Sequence, residues 1–205
     1  MAGLREKQKA ERQDRILEAA RQLFRSSNYR DVTIEAIAEV AGLSPMTVFN
    51  YYGSKGGLLL SLVAESDRHL IGKIDDVLKT KHVDALSAVS LFSLTIFDHA
   101  FSYLDQQIWG HVLSTSIREG DSTFGRGFKA LEGELRNFLA VLLEKLKTRG
   151  LVVSDCNCLT AATVIYNVHN ARFTEFASDI DITRKEIDDA VLQDIQFVVK
   201  LITSS

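Results

Sequence analysis

An all-α protein of about nine helices is what this sequence predicts, and three observations carry that expectation. Apolar residues recur at helical spacing in one segment after another, while strand-like alternation of useful length and internal repeats are both missing. The one proline in 205 residues, Pro45, directly follows a serine, at the first helical position, where a missing N–H costs nothing. Start residues (Thr33, Ser44, Ser54, Thr183) and stops (Gly42, Gly150) divide the chain into helix-sized pieces.

The first helix is expected from about Gln8 to Ser27. Residues 1–10 are polar and expected to fray, leaving Arg5, Lys7, Lys9 and Arg12 able to lie along phosphates or reach a minor groove. Ile16, Leu17, Ala20, Leu23 and Phe24 form a continuous apolar stripe that must pack on the next two helices. Asn28-Tyr29 ends the helix, with Asn28 expected in the left-handed conformation that asparagine tolerates.

Those two helices are short. In TIEAIAEVAG, Thr33 is the cap, Ile34, Ile37, Ala38 and Ala41 form an apolar face, and Gly42 ends the helix where the chain turns with positive φ. In LSPMTVFNYYGSK, Leu43 to Lys55, Ser44 is the cap and Pro45 opens the helix. Two such helices around a glycine-containing turn make a helix-turn-helix, whose second helix enters the DNA major groove by its N-terminal end. Val48 and Tyr52, four apart, face inward toward Leu43 and Ile37, while Thr47, Asn50 and Tyr51 share the opposite face with Met46 at its edge. Pro45, Met46, Thr47 and Asn50 are the candidates for base edges, Thr47 offering its methyl to thymine and Asn50 its amide to adenine. Thr33 and Ser44 can donate hydroxyl or backbone N–H to phosphates.

From Arg15 to Leu62 the chain resembles the DNA-binding domain of TetR-family transcriptional regulators. The resemblance rests on IA-x-x-AG-x-S, T-x-F-x-Y-Y and S-K-x-x-L-L, and spans about a quarter of the chain. It implies that Tyr51 and Lys55 grip phosphates. It also marks departures: Asn28 stands where the family usually has glycine, and Phe49 where it has a tyrosine whose hydroxyl lies near a phosphate. Gly56-Gly57 follows Lys55 in place of an acidic residue, and two glycines in a first turn, at about 1 kcal/mol each against alanine, suggest a loose start to the next helix.

That helix, capped by Ser54 and running to about Thr80, carries the line Leu59, Leu62, Val63, Ser66, Leu70, Ile74, Val77. Further helices are expected over Val83 to Leu104, Gln106 to Arg118 and Phe128 to Arg149, with Glu119 to Gly127 as a mobile glycine-rich loop. Asp155 or Ser154 is expected to cap a helix reaching about Ala177, and the capping box Thr183 to Glu186 opens a last helix to about Thr203. The domains expected are 1–53, the helix-turn-helix domain, and 54–205, a helical effector-binding and dimerisation domain.

Charge is unevenly placed. Residues 1–30 hold eight Lys/Arg against four Asp/Glu, a net +4, whereas residues 31–205 hold 16 against 23, a net −7. A basic end on an acidic body is the electrostatic footprint of polyanion binding. No apolar run of about 18 residues and no N-terminal apolar region are found, so the expectation is a cytoplasmic protein without membrane contact. Cys156 and Cys158 are too close for an easy disulfide and have no neighbours to complete a metal site. Phosphate loops, G-x-S-x-G and H-E-x-x-H are missing, so no enzyme, cofactor, metal or catalytic residue is expected.

The last helix carries Ile187, Val191, Ile195, Val198 and Ile202 in line, widened by Leu192, Phe197 and Val199, and wants cover on more than one side. The family resemblance implies a homodimer through a four-helix bundle of the last two helices. Polar groups within aromatic stripes suggest a small-molecule site lined by Phe97, Phe101, Trp109, Tyr166, His169, Asn170 and Phe173. The function expected is a homodimeric repressor on a palindromic operator of double-stranded DNA, released by a small, largely apolar effector. The alternative is a DNA-bound interaction protein controlled by a protein partner.

Overall fold

The computed structural model describes residues 2–81, 84–118, 121 and 123–203. Among them the chain forms nine α-helices and no strand: α1 (Ala2–Ser26), α2 (Ile34–Ala41), α3 (Pro45–Tyr52), α4 (Lys55–Lys79), α5 (Ala85–Tyr103), α6 (Gln106–Arg118), α7 (Thr123–Thr148), α8 (Cys158–Ser178) and α9 (Arg184–Lys200). They form two compact units, Met1–Glu65 with His111–Phe128, and Ser66–Gly110 with Lys129–Ser205. The boundary expected at 53/54 falls at the α3–α4 turn. Compactness instead groups the start of α4 and the second half of α6 with the helix-turn-helix.

In the first unit, Ile16, Leu17, Ala20 and Phe24 of α1 are buried with Ile37, Ala38 and Ala41 of α2 and Val48 of α3. The α4 side chains Leu58, Leu59, Leu62 and Val63 complete this core. The short helices therefore depend on tertiary burial, because eight residues of helix are marginal alone. Gly57 explains one of the two glycines at the start of α4: a Cβ there would stand 2.1 Å from the Tyr52 carbonyl oxygen. Its N–H is capped by Ser54 Oγ at 2.9 Å, so the expected looseness is replaced by a close backbone approach.

The second unit is built on α5, α8 and α9. Nine residues of α5 are buried, from Ala85 to Ala100, and the helix packs against α9, which packs against α8. By length and composition α5 could also cross a membrane, contrary to the expectation of no such segment, but half of it is buried inside the protein. It carries buried His99, whose Nε2–H donates to the Ser66 carbonyl at 2.6 Å, and Asp98, which pairs with Arg184 at 2.7 Å.

Several boundaries differ from expectation. Helix α1 begins at Ala2, so the described part of residues 1–10 is helical. Asn28 is not left-handed; its Oδ1 accepts from Arg30 N–H at 2.9 Å, and this side-chain turn ends the helix without positive φ. Helix α7 starts at Thr123, inside the expected loop, and Glu119, Gly120 and Ser122 lie outside the described residues. So does Val83, the expected start of α5, which Asp84 caps instead. Asn157, rather than Asp155 or Ser154, caps α8, leaving Cys158 buried at its first position. The capping box of α9 is formed by Thr183 and Glu186.

Candidate nucleic-acid interface

The turn between α2 and α3 is held from three sides. Thr33 Oγ1 accepts from Ala36 N–H at the start of α2, and Gly42, at φ 64°, closes its end. The Arg15 guanidinium donates to the Ala41 and Gly42 carbonyls, placing a cation on the negative end of the helix dipole. Ser44 Oγ accepts from Thr47 N–H at 3.2 Å and caps α3, with Pro45 in the first turn.

Burial then orients α3. Val48 is fully buried. Tyr52 O–H donates to the Gln13 carbonyl at 3.4 Å, and burial, helped by the negative charges of Glu65 and Asp14, pushes this phenol up to about 12. The inward pair Val48 and Tyr52 thus follows the expected spacing. The opposite side exposes Pro45, Met46, Phe49 and Asn50, with Met46 65% and Phe49 54% exposed.

Phe49 projects outward, in register with Met46 on the preceding turn. Thr47 is half-buried, and its Oγ1 lies 2.8 Å from Ser44 Oγ, so the hydroxyl is engaged within the cap. Tyr51 is half-exposed, its ring 6.1 Å from that of Tyr52. Thr33 and Ser44 are exposed. The cationic side chains Arg5, Lys7, Lys9 and Arg12 are exposed along α1.

Lys55 has acceptors within its own chain. Expected to grip phosphate, its ammonium instead donates to three backbone carbonyls, of Tyr29 at 2.8 Å, Val32 at 2.9 Å and Arg30 at 3.3 Å. It also stands 4.4 Å from the centroid of the Tyr29 ring, and desolvation lowers its pKa. An ammonium has three N–H donors, and all three are engaged within the protein. Tyr29, which sequence reasoning treated only as part of a helix stop, stacks on His111 at 4.7 Å and lies 5.2 Å from Phe24. Sequence spacing holds no signal for this cluster, since Lys55 and His111 are separated from Tyr29 by long stretches of chain.

The expected ligand-site residues lie in the second unit and pack on one another. Phe97, Trp109, Tyr166, His169 and Phe173 are buried; Phe101 and Asn170 are half-buried. The Phe97 ring meets His169 edge-on at 5.0 Å, and Trp109 meets Phe173 at 5.0 Å and 90°. Phe101 lies 4.7 Å from both Phe173 and Phe176. Trp109 Nε1–H donates to the Ala100 carbonyl, and Asn170 Nδ2 donates to Glu132 at 2.8 Å. Burial raises the Glu132 carboxyl pKa, against the opposing pull of that hydrogen bond. His169 Nδ1 is buried without a hydrogen-bond partner among the described residues, and burial pushes the imidazole pKa down to about 4.

Residues 16–62 match the family model of bacterial regulatory proteins of the tetR family. Those residues carry a DNA-binding domain like that of the tetR family. The matched segment runs from the buried stripe of α1 into α4 and contains the whole helix-turn-helix. The HTH-type transcriptional regulator UidR of Escherichia coli K12 is 25% identical over 81 residues, which is 40% of this chain and 41% of that regulator. This match thus spans less than half of the curated relative. The fold extends the likeness to the whole chain. A TetR transcription regulator from Haloarcula marismortui superimposes with a TM-score of 0.76 at 18% identity, over 95% of this chain and 100% of its own. The transcriptional regulator FadR from Bacillus subtilis, solved with stearoyl-CoA, does so with a TM-score of 0.69 at 17% identity, over 93% of this chain and 97% of its own.

Proposed function

We propose that the chain is a homodimeric repressor that binds a palindromic operator in the cytoplasm through α3 and is released by a small, largely apolar effector. The observation that carries the DNA-binding part is the outward stripe of α3 behind a basic α1. Pro45, Met46, Thr47, Phe49 and Asn50 supply the base-facing surface. Thr33, Ser44 and Tyr51 serve the phosphates. Lys55 is left out of that set, its task being internal.

Dimerisation rests on the last two helices. Ile187, Val191, Ile195 and Val199 are consumed by the protomer's own core, while Phe197, Leu201, Leu159 and Val164 remain exposed at 68%, 71%, 59% and 45%. Large apolar side chains left exposed on both helices suit an interface, and a two-fold dimer sets two recognition helices about 34–36 Å apart. An effector acts by binding better to the spacing that does not fit DNA.

The aromatic cluster around His169 is the proposed effector site. A buried imidazole atom without a partner among the described residues supports that reading, and so does FadR with its stearoyl-CoA. Control by a protein partner is the second reading, favoured by the ring-to-ring packing of Phe101 with Phe173 and Phe176. Selecting bound fragments from genomic DNA with purified protein tests the regulator. Adding long-chain acyl-CoA to the complex then separates the two readings, since release supports the effector and indifference supports the partner.

A further inference from the structure

The eight residues of α3, PMTVFNYY, contain no charged side chain. Arginine and lysine are the side chains that read guanine through O6 and N7, and neither is present on this helix. The nearest cation in sequence, Lys55, is held by the carbonyls of Tyr29, Arg30 and Val32. Thr47 has its hydroxyl on Ser44, which leaves its methyl as the free group. The most exposed apolar side chains of the helix are Met46 and Phe49, three residues apart and so on one face. Asn50 beside them is exposed and makes no side-chain hydrogen bond among the described residues.

We infer that α3 reads its half-site by thymine methyl groups, with Met46 and Phe49 as the apolar readers flanking an adenine held by Asn50. This rests on the proposed DNA-binding function and adds the chemistry of the sequence it selects. Thymine alone among the four bases presents a methyl group on its major-groove edge, so exposed apolar side chains there discriminate T·A from every other pair. Large apolar side chains held in water gain nothing until such a group covers them, whereas a guanine edge would leave its acceptors facing a thioether and a phenyl ring.

The test uses the full chain and duplexes selected from a random pool. The tightest duplex is resynthesised with uracil in place of thymine, one position at a time, which removes the methyl and leaves base pairing unchanged. Expected is a loss of roughly fourfold in affinity for each methyl that is covered, the worth of about one buried CH₂. Against Met46→Ala or Phe49→Ala the same uracil substitution should cost nothing at the matching position. Both side chains are exposed, so these variants keep the fold, as circular dichroism would verify. Uracil tolerated at every position, or a selected half-site whose strongest positions are G·C, overturns the inference while leaving DNA binding intact. A chain that retains no duplex of any sequence overturns the proposed function and this inference with it.

Discussion

Lys55 and Tyr29 are joined twice: the lysine ammonium donates to the tyrosine carbonyl at 2.8 Å and stands 4.4 Å from the centroid of the same residue's ring. With the Arg30 and Val32 carbonyls as further acceptors, the start of α4 is pinned to the connection between α1 and α2. The position of α3 relative to α1 depends on that pin. Lys55→Met should therefore lower stability, by about 1–3 kcal/mol for the carbonyls left without a donor. It should weaken operator binding equally at all salt concentrations. A phosphate ligand would instead reduce the salt slope by roughly one unit when removed, so a titration over a range of ionic strength decides the role.

Asn50 carries a different expectation. Its amide is exposed on α3, so Asn50→Ala should leave folding unchanged and relax preference at one base pair per half-site, at about 1–3 kcal/mol for the preferred base. Binding to a panel of variant operators measures this. A uniform loss over the panel would move Asn50 to the phosphate set.

Acid should weaken the second unit. Burial lowers the His169 pKa to about 4 and also lowers that of His99, so in the folded state both stay neutral below 6.5 while the unfolded chain takes up protons. Stability present above pH 6.5 is then lost as pH falls toward 4, by on the order of 3 kcal/mol for His169 alone. Glu132 acts in the opposite sense, because its raised pKa lets the folded state bind the proton first above 4.5. Urea denaturation at stepped pH, with and without His169→Leu, separates the contributions. The variant should flatten the dependence in that window.

The same variant has a second consequence. Nδ1 of His169 is buried without a partner among the described residues, which costs about 1–3 kcal/mol. At neutral pH His169→Leu should therefore raise the melting temperature while abolishing response to the effector. A protein that melts lower would show that ring packing against Phe97 and Phe173 outweighs the orphaned nitrogen.

Phe197 is 68% exposed on α9 and does not hold the protomer together. Phe197→Glu should give a folded monomer, seen by light scattering, with operator affinity reduced to that of a single half-site. A dimer that survives the charge would place the interface elsewhere.

Local chemistry was enough to locate most of this architecture. Thr33, Ser44, Gly42 and the Thr183–Glu186 box each act within a few residues, and the stripes of α1 and α4 need only helical periodicity to be read. The helix-turn-helix was legible for that reason, as was the inward turn of Val48 and Tyr52. Three assignments needed the tertiary structure. Lys55 could be matched to a motif but not aimed, because its acceptors lie 23 to 26 residues away. Phe49 could be marked as a departure from the family's tyrosine but not placed, and the packing of α3 leaves its ring exposed. Gly57 looks like a weak point until the Tyr52 carbonyl is found where its side chain would be. Periodicity and capping report on bonds within one turn of helix; which way a long side chain swings, and what a glycine makes room for, is decided by contacts between segments that only folding brings together.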